Sequence, residues 1–320
     1  MKIKKITKLG RAGEVFNLRI KTQSDANHNY FANGINVANC HKSRGNVIKK
    51  VIEYCINWRY MLGLSGTVKL DEKYSDYFRM LETIGPLVLT LSAKHLIDNQ
   101  YSPNIKIKQI KLAYDKDSEY LKKYWDLKAN GASMYSNKRD FGGDMFELEK
   151  QFLYNNPERL SFINELVRRL NKNTLVLFSN IKDEYGKKIY EEISKWNKHT
   201  FYIDGEVDND LREQYKAIME AEDNVVIVAS FGTFSTGIDI KKVYHIIFAE
   251  STKAEITIRQ SIGRGMRAFK NKLATYIWDI VDMLDGYMVK HSKARLKIYK
   301  EQKFEVSNMD VDLTKFNKPN

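Results

Sequence analysis

Five short apolar runs in the second half of the chain are separated, one from the next, by stretches long enough to hold a helix. They are Leu175–Ser179, His199–Ile203, Val225–Ala229, His245–Phe248 and Ala274–Val281, each the length of a buried strand. Helical patterns lie between them at Glu184–Trp196, Asp210–Glu220 and Ile256–Met266. Strands joined through helices cannot pair as hairpins. They give a parallel sheet with right-handed crossovers and helices on its faces, so the second half is an α/β domain.

The beginning of the chain has another rhythm. Lys2–Thr7 and Glu14–Lys21 alternate apolar and polar residues as strands do, broken at Arg11–Gly13, and Asn27–Tyr30, Asn33–Gly34 and Asn36 supply turn chemistry. From Val47 the period becomes helical, with Val47, Ile48, Val51, Ile52 and Cys55 on one face. Met61–Leu64 reads as a short strand running into Ser65–Gly66–Thr67, and Ser75–Ile84 as a helix. The apolar run Leu87–Leu91 and a helical pattern over Ser92–Asn99 follow. Pro103 and Asn104 mark a turn and a domain boundary, after which Ile105–Leu112 (IKIKQIKL) reads as a strand. Charged helices are expected over Ser118–Lys128, a mobile connection over the polar, Gly-rich Asn130–Asp144, and a frayed tail from Ser307.

Charge narrows the partner. Fifty-three Lys and Arg against 40 Asp and Glu leave +13, which makes a polyanion, nucleic acid first, the expected ligand. Two cysteines, Cys40 and Cys55, exclude a disulfide-built secreted scaffold. Val225–Ala229 and Tyr276–Val281 are far short of a membrane span, and MKIKKITKLG has no apolar core for export; a cytoplasmic location without membrane contact is expected.

Residues 27–40, NHNYFANGINVANC, end on asparagine followed by cysteine. That order permits two linked reactions. The Cys40 thiolate can attack an upstream thioester, since the thiolate is the competent nucleophile. The Asn39 side-chain nitrogen can then attack its own carbonyl and cleave the chain as a succinimide, with His28 the candidate base or donor. Alone, Asn-Cys is a chance dipeptide and His28 a turn histidine. With EVFNLRIK and HNYFANGI before it, the segment 1–39 resembles the C-terminal fragment of a split intein. The resemblance implies a small β-rich (Hint) fragment that excises itself after pairing with an N-terminal intein fragment on another chain. Many inteins carry histidine before the final asparagine, where this chain has Ala38. Slower cyclisation, or help from groups including His28, is then expected.

Cys40–His41 opens a second resemblance. CHKS, a helix and then LGLSGT are similar to the end of the Asp-Glu-Cys-His box and the Ser-Gly-Thr motif of superfamily 2 helicases. An Asp-Glu pair ahead of Cys40 and a G-x-x-x-x-G-K-[ST] loop are both missing from this sequence. Downstream, TLVLFSN (174–180), YIDGEVDNDLRE (202–213), VASFGTFSTGIDI (228–240) and QSIGRGMR (260–267) follow in the family's order, most like the UvsW-type helicases of T-even-like phages. Read one by one, Arg264 and Arg267 are a basic helix face, and Ser230, Thr233, Ser235 and Thr236 a polar loop. Gly263–Arg264–Gly265 also starts a dinucleotide fingerprint but lacks the strand that must precede it.

The resemblance implies a RecA-like helicase domain over 104–305, part of another RecA-like domain over 40–103, the intein fragment over 1–39 and a tail over 306–320. ATP and Mg²⁺ would be the cofactors, with the metal ligands on a partner chain that carries the N-terminal helicase half. Arg264 and Arg267 would bind the ATP phosphates, with Gly237, Asp239 and Gln260 around the nucleotide. His41, Ser65 and Thr67 would couple hydrolysis to the nucleic acid, held through Ser179, Ser230, Thr233, Ser235 and Thr236. DNA and RNA–DNA hybrids are the implied substrates. Beyond the last strand, Lys290, Lys293, Lys297 and Lys300 are spaced to share one helical face, a solvated surface or a set of phosphate contacts. The competing reading is a nucleic-acid-binding or annealing module without catalysis of its own.

Overall fold

A computed structural model describes residues 3–9, 15–20, 30–32, 35–39, 60–64, 75–115, 118–130, 138–179, 184–233, 240–250, 252, 254–284 and 286–316. The chain divides into two compact units, Met1–Thr90 and Leu91–Asn320. The helix of Ser92–Asn99 thus falls with the second unit, ahead of the turn at Pro103.

In the first unit, β1 (Ile3–Leu9) and β2 (Val15–Ile20) pair antiparallel, as their alternation predicts. β3 (Tyr30–Ala32) pairs antiparallel with β4 (Ile35–Asn39). β4 then pairs in parallel with β5 (Tyr60–Leu64), so the strand ending on Asn39 shares a sheet with residues beyond the Asn-Cys junction. Helix α1 covers Ser75–Ile84 as its periodicity predicts. Val88, Leu89 and Leu91 after it are 90, 70 and 52% exposed.

The second unit is built on seven parallel strands in the order β12-β6-β11-β10-β7-β9-β8. These are β6 (Asn104–Ala113), β7 (Thr174–Phe178), β8 (Thr200–Ile203), β9 (Val226–Ser230), β10 (His245–Phe248), β11 (Ala274–Asp282) and β12 (Glu305–Asp312). The helices are α2 (Ala93–Asp98), α3 (Glu119–Asn130), α4 (Lys138–Asn155), α5 (Pro157–Leu170), α6 (Tyr185–Ser194), α7 (Asn209–Ala221), α8 (Glu255–Gly265) and α9 (Tyr287–Glu301). Val176, Val228 and Ile247 face one core with α5 and α6; Leu175, Ile227 and Ile246 face the other with α7 and α8. Central strands β7, β9 and β10 are buried along their whole length, the signature of a sheet covered on both sides.

Two expectations fail. The tail is not frayed from Ser307: β12 pairs with β6 from Glu305↔Lys106 to Asp312↔Ala113, and a 3₁₀ turn follows at Leu313–Lys315. An edge strand needs only main-chain partners on one side, and EVSNMDVD stays largely exposed, so hydrophobic patterning is silent there. Nor is Asn130–Asp144 one connection, because α4 already starts at Lys138. Helix α5 was not legible as a periodic segment, yet its ends follow the rules: Asn156 accepts the Arg159 amide at 2.7 Å, Pro157 takes the first turn, and Asn171 closes it with φ 44°.

Candidate functional site

In a parallel sheet each helix starts near one strand's carboxyl end and finishes near the next strand's amino end. Helix α8 runs from the end of β10 to the start of β11, which carries its last turn to the amino edge of the sheet. Gln260 and Arg264 are half-buried there, and Arg267 is exposed just past the helix. Close packing brings the turn against the sheet. A Cβ on Gly265 would lie 3.0 Å from Thr275 Cγ2 and 3.2 Å from Ile246 Cδ1, so only glycine fits without displacement.

Lys272 fixes this turn, and nothing in the sequence pattern singled it out. Its ammonium donates to the carbonyls of Lys241 (3.1 Å), Gly265 (2.9 Å) and Arg267 (3.0 Å). Thr275 Oγ1 adds a bond to the Gly265 carbonyl at 2.8 Å, and Ser102 Oγ one to Met266 at 3.0 Å. A cation at a helix carboxyl end satisfies orphan carbonyls and suits the helix dipole. Burial pushes the Lys272 ammonium down to about 8. The Lys241 carbonyl matters most. Residues 240–242 follow directly on Gly237–Asp239, so one lysine ties the end of the hydroxyl-rich motif to the arginine turn.

The carboxyl edge holds a different chemistry. Ser230 Oγ donates to Thr233 Oγ1 at 2.8 Å and accepts the Thr233 amide at 3.2 Å, both residues being buried. Ser179, at the end of β7, is exposed, and its amide donates to Glu250 Oε2 at 2.6 Å. Glu250 is itself buried and accepts the Tyr154 hydroxyl. Beside it, Arg159 holds Asp282 through two bonds of 2.8 and 3.0 Å, reaches the Ala249 carbonyl at 2.8 Å, and donates to the Tyr185 hydroxyl. Tyr114 donates to the same aspartate, and Tyr154 stacks on Tyr185 at 4.8 Å. Burial pushes the Tyr185 phenol up to about 12. The network runs from the exposed Ser179 loop to β6, β10 and β11.

Helix α9 contributes the basic face. Lys290, Lys293, Lys297 and Lys300 are exposed, and Lys293, Lys297 and Lys300 line a shallow open groove with Leu296 and Glu301. Glu301 is paired with Arg259 of α8 at 2.7 Å. On its inner side, Arg295 donates to Asp279 at 2.8 Å. At its start, Glu149 accepts the amides of Tyr287 and Met288. Gly286 is required there, because a Cβ would sit 1.2 Å from Glu149 Oε1.

His28, Cys40, His41, Ser65, Thr67, Ser235, Thr236, Gly237 and Asp239 lie outside the described residues, as does the side chain of Asn39. Of the remaining candidates, Gln260, Arg264 and Arg267 gather on one edge and Ser179, Ser230 and Thr233 on the other. Glu250, Arg159 and Lys272 are polar residues that motif reading missed. Their only signal in the sequence is a charged residue inside or beside an apolar run. Among the described residues, no cluster of three or more His, Cys, Asp or Glu is placed to hold a metal, and no helix is long and apolar enough to cross a membrane.

Residues 158–269 match the family model described as the helicase conserved C-terminal domain. The chain is 26% identical over 293 residues to the ATP-dependent DNA helicase uvsW of Enterobacteria phage T4, covering 86% of this chain and 54% of that protein. It is 23% identical over 287 residues to the probable helicase D10 of Escherichia phage T5, covering 85% of this chain and 56% of that protein. The chain therefore spans about half the length of these curated relatives. Its fold is similar to that of the T4 UvsW crystal structure, with a TM-score of 0.51 and 23% identity over 87% of this chain and 52% of the other. A fragment of a putative HsdR subunit of a type I restriction enzyme from Vibrio vulnificus YJ016 gives 0.54 at 14% identity, over 82% of this chain and 46% of the other. The second unit thus has the fold of a helicase C-terminal domain, and the chain resembles UvsW.

Proposed function

We propose that this chain is the C-terminal half of an ATP-dependent helicase or translocase that remodels branched DNA or RNA–DNA hybrids. The observation that carries the reading is the Lys272 hub, which holds the residues after Asp239 and the Arg264–Arg267 turn in one rigid piece at one edge of the sheet. Two guanidiniums on a locked backbone, one half-buried and one exposed, suit a polyphosphate. Arg264 and Arg267 would bind and polarise its phosphates, with Gln260, Gly237 and Asp239 around the nucleotide. ATP with Mg²⁺ supplies the free energy of turnover, and the N-terminal half carries the metal ligands. The Ser179 and Ser230–Thr233 loops, with Ser235 and Thr236, would hold the nucleic-acid backbone on the other edge, and His41, Ser65 and Thr67 would couple hydrolysis to the nucleic acid. Lys290, Lys293 and Lys297 would add phosphate contacts.

The two halves would be joined by trans-splicing at Asn39–Cys40, with His28 as base or donor. Supporting this are the order of motifs in 1–39 and a helicase resemblance that resumes at Cys40, inside a metal-binding box. Cys40→Ala should block ligation to the partner half yet permit cleavage after Asn39. Asn39→Ala should instead accumulate a branched species, identified by mass spectrometry; ligation by both variants at the parent's level would remove the splicing reading.

For the helicase itself, purified chain should show no turnover of ATP until the cognate half is added. In the assembled enzyme, Arg264→Ala or Arg267→Ala should lower kcat by roughly 10³–10⁵, with little change in DNA affinity at fixed salt. Collapse of binding with turnover per bound enzyme preserved would reassign both arginines to the nucleic acid. The alternative, a binding or annealing module, is favoured by one feature: this sequence has no phosphate loop of its own. ATP turnover by the chain alone would contradict both readings.

A further inference from the structure

One stretch of the sheet is only half-buried among the described residues. On the face that packs α5, the carboxyl halves of β6 and β11 are buried at Ile110, Leu112 and Ile280. Their amino halves, on the same face, carry Lys108, Tyr276 and Trp278, all half-buried. Tyr276 and Trp278 stack with centroids 6.4 Å apart, and the Lys108 ammonium sits 5.1 Å from the Trp278 ring and 5.9 Å from the Tyr276 ring. Beside them Lys172, exposed, lies 5.1 Å over the Tyr244 ring. The Trp278 Nε1–H donates to His245 Nδ1 at 3.1 Å, which pins the indole edge and leaves its face toward the lysine. Among the described residues neither Lys108 nor Lys172 forms an ion pair. Helix α8 and the carboxyl half of α9, with the arginine turn and the lysine groove, pack on the opposite face.

We propose that this open face is a separate binding site for a single strand of nucleic acid, with Tyr276 and Trp278 stacking on bases and Lys108 and Lys172 meeting the backbone. Charge complementarity selects the occupant. A protein-binding surface excludes lysine from its centre and keeps charge for its rim. Here ammonium groups lie over the middle of the rings. Aromatic faces interleaved with lysine are what sequence-tolerant single-strand sites are made of, because every base has a stacking face and every nucleotide a phosphate. On binding, each lysine exchanges its ring for a phosphate, and the ring it leaves becomes free for a base. The site would hold a strand apart from the one the motor loops engage.

The test uses the whole chain and an oligothymidylate containing 4-thiothymidine. Ultraviolet crosslinking followed by peptide mapping should place adducts on the segment containing Tyr276 and Trp278. Tyr276→Ala combined with Lys108→Ala should weaken oligothymidylate binding about tenfold at fixed salt, as expected from losing one stacked base and one phosphate contact. The slope of log affinity against log salt should become shallower by about 0.7, the single-strand value for one phosphate. An unchanged thermal transition shows that the variant is folded. Adducts confined to α9 or to the Ser179 and Thr233 loops, with unchanged affinity, would overturn the proposal. So would protection of this face by the N-terminal half in the absence of nucleic acid. Failure to obtain ATP turnover on mixing the halves would sink the helicase reading but leave these adducts in place, so the two claims fail separately.

Discussion

Two arginine–aspartate pairs lie at the heart of the sheet domain, and they differ in what surrounds them. Arg159–Asp282 and Arg295–Asp279 have the same chemistry and the same burial, each side chain at most 1% exposed. Asp279 also accepts Gln109 at 2.9 Å and Tyr299 at 3.1 Å, while Arg295 reaches the carbonyls of Ile280 and Thr252. Those bonds clamp α9 to β11 and β6. The Arg159 pair instead continues through Tyr185, Tyr154 and Glu250 to the amide of exposed Ser179. One pair is a clamp; the other is the root of a path of hydrogen bonds and one ring stack to a loop expected to touch nucleic acid. Burial and geometry alone do not tell a structural ion pair from a functional one. What each pair is bonded to next does.

The largest effects should come from breaking either pair on one side. Arg159→Met and Arg295→Met each strand a buried carboxylate, and each should cost about 3–5 kcal/mol in denaturant unfolding. If Arg295→Met cost less than about 1 kcal/mol, the clamp description would be wrong. A smaller effect should separate the two regions by function. Glu250→Gln keeps the volume but weakens the acceptor for the Ser179 amide. In the assembled enzyme it should raise the nucleic-acid concentration needed for half-maximal ATP turnover about tenfold and leave basal turnover unchanged. An equal fall in basal and stimulated turnover would make Glu250 merely structural.

The smallest effect belongs to a buried polar group that is in neither network. Burial, with Lys172 and Lys108 nearby, pushes His245 from 6.5 down to about 4. The unfolded chain therefore binds a proton that the folded chain refuses as pH falls from about 6.5 toward 4. Stability is full above 6.5 and should drop by about 1 kcal/mol between pH 6.5 and 5.5. His245→Gln should flatten that part of the profile, and an unaltered acid limb would assign it to other groups.

Much of the sheet was legible because burial on both faces leaves an uninterrupted apolar run, as in β9 and β10. The arginine turn was legible as well, since QSIGRGMR has a fixed spacing. Lys272 was not: a lysine after Phe-Lys-Asn reads as surface, and only the fold brings three carbonyls around it. Glu250 and Arg159 escaped for the same reason, their partners lying 71 and 123 positions away in the chain. The strand β12 escaped for the opposite reason, because it hardly uses its side chains.

The place of β12 also bears on how the domain is made. The first strand of the sheet, β6, pairs only with β11 and β12, the last two. Its neighbours on either side follow it by more than half the length of the chain. During translation β6 leaves the ribosome roughly ten to thirty seconds before β11 exists, at ordinary elongation rates. Throughout that interval IKIKQIKL is a newborn apolar strand with both edges unpaired, the state in which chains associate wrongly. Half of its positions, Lys106, Lys108, Gln109 and Lys111, are lysines and a glutamine, charges and amides that discourage such pairing until the carboxyl-terminal strands arrive to close it on either side.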